Sequence, residues 1–308
     1  MKQRTFGVFS ILTAVVLAAA PAVAQQPPKP AETVKTPPAK DIIDRACAAA
    51  GGVDAFNGLG TVQVDMRSQE VTADGHTSQN ARRIVFQAPG PIPGRMVMAG
   101  GAVVAGDDGT GGWALINKRP DTRTATVYMV QRSLQTALFP ILLPFSLHWD
   151  GVVVSDVAPA VVDGQPTWQL TLTFTRSFFD NPQIGTTWLV EVDRKSYAVL
   201  RAESPFVDLG KGITSDGMRF SWARRTQVQG ITLPTEQTII GINRYGRENA
   251  HNRMDTITYA TPAVKDVNAL YANPLPPDQR PKQPTMQLPP GPGGPGGAER
   301  PGGPGGGI

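Results

Sequence analysis

Thr167-Trp168-Gln169-Leu170-Thr171-Leu172-Thr173-Phe174-Thr175 is the stretch that decides the fold. Trp168, Leu170, Leu172 and Phe174 alternate with polar residues, the period of a strand with one face buried and the other wet. The same period runs outward in both directions. Upstream, Val62, Val64 and Met66 alternate with polar neighbours. Downstream come Trp188, Val190 and Val192, then Tyr197 and Val199, then Met218, Phe220 and Trp222. Ile231 and Leu233 lead on to Ile240 and Ile242, and Ile257 and Tyr259 close the series. Asp163-Gly164-Gln165-Pro166, Asp193 to Ser196, Asp216-Gly217 and Gln229-Gly230 supply turn chemistry between them. This predicts a mainly β domain of about ten or eleven strands in a single antiparallel sheet, strongly curved or forming an unclosed β-barrel. Hairpin-length links favour antiparallel order, with one apolar and one polar face.

Before the first strand the period is helical. Ile42, Ile43, Ala46 and Ala50 follow Asp41, read as the N-cap, and Gly51-Gly52 stops the helix. Cys47 is the chain's one cysteine, so an internal disulfide is excluded. Its Ala-rich helical setting reads as a small buried apolar residue.

Leu134 to Trp149 breaks the alternation. Pro140 and Pro144 interrupt any helix there. Leu138, Phe139, Ile141, Leu142, Leu143, Phe145, Leu147 and Trp149 would forgo on the order of 12–24 kcal/mol if left wet, as an upper bound. Such a segment is expected to lie over the sheet's inner face as a short apolar lid. Its side chains then serve either as core or as the wall of a ligand site.

The ends have a different composition. Lys2 and Arg4 precede the apolar run Phe6 to Ala20, and Pro21 leads into the small-x-small sequence Ala22-Val23-Ala24. Residues 1–24 therefore read as a secretory signal peptide. No lipobox precedes Cys47, so the mature product is expected to be soluble in the periplasm or secreted. Residues 25–40 read as a Pro-rich disordered linker and residues 273–308 as a Pro/Gly-rich disordered tail, leaving the β-domain at 41–272.

The pI near 9.3 points to an anionic partner until the charges are located. Of the formal charge of +4, Lys2 and Arg4 carry two, the linker two more and the tail one, which leaves the body at −1. A nucleic-acid surface needs concentrated basic residues, and pairs such as Arg82-Arg83 and Arg224-Arg225 do not supply one. No nucleic-acid partner is expected.

Chemistry-bearing motifs are sparse. His76, His148 and His251 have no second histidine at metal-ligand spacing, and there is no Gly-x-Ser-x-Gly elbow. Gly106 to Gly112 fits neither the P-loop nor the EF-hand spacing and reads as a hairpin loop. His148 with Asp150 is the only acid–base pair near the lid. No catalytic residue, metal or cofactor is assigned.

Several short signatures occur in the order of a known family. Ile42 to Ala46 with Gly51-Gly52, Leu59 and Val62 resemble the leading helix, turn and strand of the LolA/LolB-like periplasmic lipoprotein carriers. Val192 to Arg201 resembles that superfamily's acidic turn and following strand, and Gln229 to Pro234 its Gly-Ile-x-Leu-Pro strand. The resemblance implies an unclosed barrel whose inner apolar face takes a lipid, an acyl chain or a lipoprotein. Candidate contacts are then the lid side chains together with Trp168, Leu170, Leu172, Trp188, Phe220 and Trp222. The alternative reading is a periplasmic scaffold or envelope-sensing protein that binds an envelope protein partner and no small molecule.

Overall fold

Helical spacing followed by period-2 spacing gives the expected order of elements. The computed structural model describes residues 35–72, 74–174, 187–204, 207–208, 214–264 and 266–280. Residues 1–34, which hold the expected signal peptide and most of the expected linker, Thr175, and residues from 281 onward lie outside the described residues. The chain separates into the units Met1–Lys35 and Thr36–Ile308, and the second is the subject below.

Helix α1 (Ala39–Ala49) buries Ile42, Ile43, Ala46 and Cys47. It begins earlier than Asp41 alone implies. Pro38 occupies the N-cap, and Asp41 lies in the first turn, where a carboxylate favours the positive helix end. Gly51 and Gly52, at φ 116° and 98°, turn the chain into the one-turn α2 (Val53–Asn57). These conformations suit glycine because it lacks a Cβ.

The strands follow in sequence. They are β1 (Thr61–Val71), β2 (Thr77–Gln87), β3 (Gly94–Met98), β4 (Val103–Asp107), β5 (Gly112–Ile116) and β6 (Arg119–Asp121). Helix α3 (Thr124–Leu138) and a 3-10 turn at Phe145–His148 come next. Then β7 (Val152–Val162), β8 (Gln165–Phe174), β9 (Trp188–Asp193) and β10 (Val199–Ser204) are followed by the short pair β11 (Val207–Asp208) and β12 (Thr214–Ser215). Strands β13 (Gly217–Val228), β14 (Ile231–Ile242) and β15 (Glu248–Ala260) and helix α4 (Val267–Tyr271) complete the fold.

One antiparallel sheet holds thirteen of these strands in the order β6-β5-β4-β3-β2-β1-β15-β14-β13-β10-β9-β8-β7. The strand count exceeds the expected one partly because β3 to β6 are short and rich in Gly, so they hardly register as an alternation. The class is as expected. First and last strands meet at the sheet's middle, whereas β6 and β7 form its two edges and do not pair with each other. The sheet is therefore not closed.

The turns follow the residue chemistry. Asp163 and Gly164 both take positive φ, at 48° and 80°, as do Gln229 and Gly230, at 47° and 91°. Both pairs make the two-residue hairpin that matches strand twist. Pro234 sits within β14 without breaking it, because the β15 ladder begins only at Glu236. The β13–β14 hairpin also seats the N-terminal helices. Thr232 N donates to Ala50 O at 2.7 Å, and a Cβ on Gly51 would lie 2.4 Å from Gly230 O.

The C-terminal residues continue the packing. Trp113 Nε1 donates to Tyr271 O at 2.9 Å, and Asn273 N donates to Asp108 Oδ2 at 3.3 Å. Leu275 is buried, and Arg280 lies 3.9 Å from Asp108. Asn273 to Arg280, which composition groups with the tail, thus rests against the β4–β5 loop. That loop is the Gly106–Gly112 run read as a hairpin turn.

Cys47 is fully buried, and burial, with the Asp44 carboxylate as a lesser cause, pushes its thiol up to about 12. A thiol with a raised pKa stays protonated and inert below that value. The native protein is expected to leave Ellman's reagent unreduced at mildly alkaline pH. It should release one equivalent of thionitrobenzoate only once denatured, read by absorbance.

Candidate functional site

The route of the chain from β6 to β7 creates the site. The two strands are opposite edges of one sheet, so the segment between them must cross a face of that sheet. Residues Thr124 to Trp149 make that crossing. Leu134 to Leu138 belong to α3, where interrupted coil was expected at the start of the lid. The interruption comes only after Leu138, at Pro140.

The lid side chains are buried. Leu138, Phe139, Ile141 and Leu142 are fully enclosed, and Leu143, Phe145, Leu147 and Trp149 nearly so. Phe145 stacks on Phe56 of α2 with ring centroids 4.5 Å apart. Phe139 meets Phe174 and Trp188 edge-on at 5.6 and 5.4 Å, and Trp188 stacks on Phe220 at 5.1 Å. Offset and edge-on rings of this kind add to the burial of their area. Polar contacts fix the register. Trp149 Nε1 donates to Pro89 O at 2.6 Å, and Ser146 Oγ donates to Phe139 O at 2.8 Å. Trp168, Leu170 and Leu172 are buried in the same cluster, while Trp222 is only partly buried at its margin. The sequence-predicted site residues are thus brought together, as one packed core.

His148 and Asp150 are both exposed. His76 lies in the exposed β1–β2 turn beside Asp74. Neither histidine faces the core.

Among the described residues, open space on the inner face lies beside the lid. A cleft of about 170 Å³ runs between α3 and strands β3 to β6. Met96, Met98, Val103, Ala105, Ala114 and Ile116 form its sheet wall, with Met129, Val130 and Ser133 on the helix. Met129 is 64% exposed and Ile116 40%, so the cleft opens to solvent. Methionine on both walls gives a soft, adaptable apolar lining. Asp121 and Arg123 close one end, joined by an ion pair of 2.6 Å.

Strand register extends that wall across the sheet. Ile116 pairs with Val103, Val103 with Met98, Met98 with Arg82, and Arg82 with Met66, which faces Ile257. In the adjoining row Ser68 faces Asp255, Asp255 faces Gln237, and Gln237 faces Trp222. A polar stripe therefore crosses the inner face next to the apolar cleft. Asp255 is fully buried. It accepts a fork from Arg253, Nε to Oδ1 at 2.7 Å and Nη2 to Oδ2 at 2.8 Å, and a bond from Gln237 Nε2 at 3.2 Å. Gln237 Oε1 in turn accepts from Trp222 Nε1 at 3.0 Å. Arg82 Nη2 stands 3.8 Å from the same carboxylate. Burial, then the neighbouring Arg253 charge, lowers the Arg82 guanidinium to about 10. At the stripe's end His251 Nε2 lies 2.7 Å from Glu70 Oε1.

The sequence signal for this stripe is parity. Arg82 shares its parity with Ile84 and Phe86, and Arg253 and Asp255 share theirs with Ile257. Polar residues in apolar register mark an inner-face site, and reading Arg82-Arg83 only as a basic pair passes over it.

The fold is that of LolA superfamily proteins. The crystal structure of one from Nitrosomonas europaea matches with TM-score 0.50 and 11% identity, over 77% of this chain and 99% of that one. A putative outer membrane lipoprotein-sorting protein domain from Vibrio parahaemolyticus matches with TM-score 0.48 and 11% identity, over 76% and 97%. A DUF1329 family protein from Desulfovibrio piger gives 0.47 and 13%, over 77% and 98%. At these identities the likeness is one of fold. No protein-family profile and no curated protein sequence matches the chain.

Replacing Arg253 with Ala removes the fork from a fully buried carboxylate, and breaking such a pair costs about 3–5 kcal/mol. Urea unfolding of Arg253→Ala should show a midpoint lowered accordingly. An unchanged midpoint would show that Asp255 does not depend on this partner.

Proposed function

We propose that the chain is an exported, non-enzymatic protein that holds a lipid, an acyl chain or the acyl portion of a lipoprotein against the inner face of its unclosed sheet. In this reading residues 1–24 are removed as a signal peptide. The residues before α1 then tether the β-domain, residues 281–308 extend beyond it, and the protein acts in the periplasm or outside the cell. The observation that carries the reading is the solvent-open, methionine-walled cleft between α3 and β3 to β6. Sites for apolar ligands are concave, mostly apolar and equipped with a few placed polar groups. The LolA superfamily fold is consistent with such a role. Among the described residues no helix is long and apolar enough to cross a membrane.

The cleft as it stands admits only part of a long chain, so the reading requires α3 to shift. Its last turn and the residues after it would then expose Leu138, Phe139 and Leu142 as further wall. The full set of lid and strand side chains named from the sequence lines the enlarged chamber only in that state.

The packed lid favours a second reading, that the protein is an envelope scaffold or sensor with no small-molecule ligand. One set of measurements separates the two. The exported chain is purified, its organic extract taken for mass spectrometry, and a fluorescent fatty acid titrated into it. A carrier should yield co-purifying lipid and saturable binding. Met98→Asp should weaken that binding by about tenfold or more, since it puts a charge on an apolar wall. Val161→Arg on the exposed β7 edge should leave it unchanged. No lipid and no probe binding would sink the carrier reading. Loss of an envelope partner in pull-downs on deleting residues 281–308 would support the scaffold.

A further inference from the structure

The polar stripe contains more positive charge than its own carboxylate needs. Arg253 already gives Asp255 a two-bond fork, and Gln237 fills a further acceptor position. Arg82 is left at 3.8 Å, beyond hydrogen-bond distance. Its Nε is buried and has no hydrogen-bond partner among the described residues. An unmet donor on a buried cation is costly, and a fold retains one where something else meets the charge. The remaining ionisable groups of the stripe do not do so, since Glu70 is engaged with His251. The stripe therefore sets two guanidinium groups beside an aspartate that already accepts three hydrogen bonds, none of them from Arg82.

Position says what would meet that charge. Arg82 is the cross-strand neighbour of Met98, a wall residue of the apolar cleft. Its side chain is 22% exposed, so it is not sealed off from solvent. Arg95 and Arg201 also hold a buried Nε without a partner, but alternation places them on the sheet's opposite face from Met96 and Ala202. Of these three arginines, Arg82 alone shares the inner face with the apolar wall of the cleft.

We infer that Arg82 is the headgroup site of the cleft, selecting an amphiphile whose apolar chain lies along Met98 and whose anionic end, a carboxylate or a phosphate, is met by the guanidinium. This rests on the carrier reading and narrows it to anionic amphiphiles. A guanidinium donates two parallel bonds to either anion, which gives direction as well as charge.

The test compares a dansylated fatty acid with its methyl ester on the full exported chain. The acid should bind at least about tenfold more tightly than the ester, the scale of a charge-assisted bond. Arg82→Gln should abolish that preference while leaving ester binding as it was. Arg82→Lys, which keeps the charge, should retain part of it. The melting temperature of Arg82→Gln should not fall, because Arg82 makes no hydrogen bond that the fold depends on; a marked fall would mean a structural role and overturn the inference. Equal binding of acid and ester would overturn the headgroup site and leave the carrier reading standing. Binding of neither would remove the carrier reading itself. Acetate and inorganic phosphate are titrated against the bound acid as a last arm. Displacement by either at low concentration would show a site for free anions and overturn the amphiphile.

Discussion

One topological constraint organises the molecule. The first six strands run outward from the middle of the sheet to one edge, and the later strands run inward from the other edge to rejoin β1. The connection between the two halves must span the whole inner face. An apolar crossing segment becomes a core against that face, and a polar one would leave both surfaces wet. Large side chains from Leu138 to Trp149 meet this demand. Their burial also lets an unclosed sheet of this size hold its shape, since open twisted sheets of many strands need a covering layer.

The crossing is shorter than the surface it must protect. Phe139 packs against Phe174 and Trp188 in the β8 to β13 half, where Trp188 stacks on Phe220, and Phe145 reaches Phe56 of α2. On the β3 to β6 wing the inner-face cover among the described residues is α3, one helix laid along strands of three to five residues. A single helix cannot close both rows of side chains on such a wing. The row of Ala114, Ala105 and Met96 lies closest to it, and the row of Ile116, Val103 and Met98 borders the opening. The asymmetry between a packed half and a half-covered wing, among the described residues, follows from where the crossing enters and leaves the sheet.

Much of this was legible in the residues, and what was not has identifiable causes. The strand faces around Trp168, Trp188 and Ile257 declared themselves because each alternates over enough positions to exclude a helix. Strands β4 and β5 carry small residues such as Gly106 and Ala114, which weaken the apolar signal, so they were readable only as flanks of a hairpin. The lid's apolar content was plain, but its helical start depends on sheet contacts that no local period reports. The Arg82, Asp255 and Gln237 stripe was the least legible. Each residue sits in a different strand, and a polar residue declares itself as inward-facing only after the register of β2, β15 and β14 is known.

The stripe and the sealed core also constrain each other. Asp255 lies one row from Met66 and Ile257, so its charge is held inside a wall that is otherwise hydrocarbon. Such a group is tolerable only when fixed donors surround it, and Arg253, Gln237 and, through Gln237, Trp222 form that frame. Trp222 links the frame to the aromatic half of the core, because it neighbours Phe220 on β13, two residues along the same face. The polar row therefore cannot shift without disturbing the packing beside the lid. Arg82 is the exception. Held by one long-range attraction rather than by a fork, it is the member of the stripe free to change partners without loosening the frame. A rigid frame around Asp255 and a loosely held cation beside an apolar opening divide structural and recognition roles between two arginines of one site.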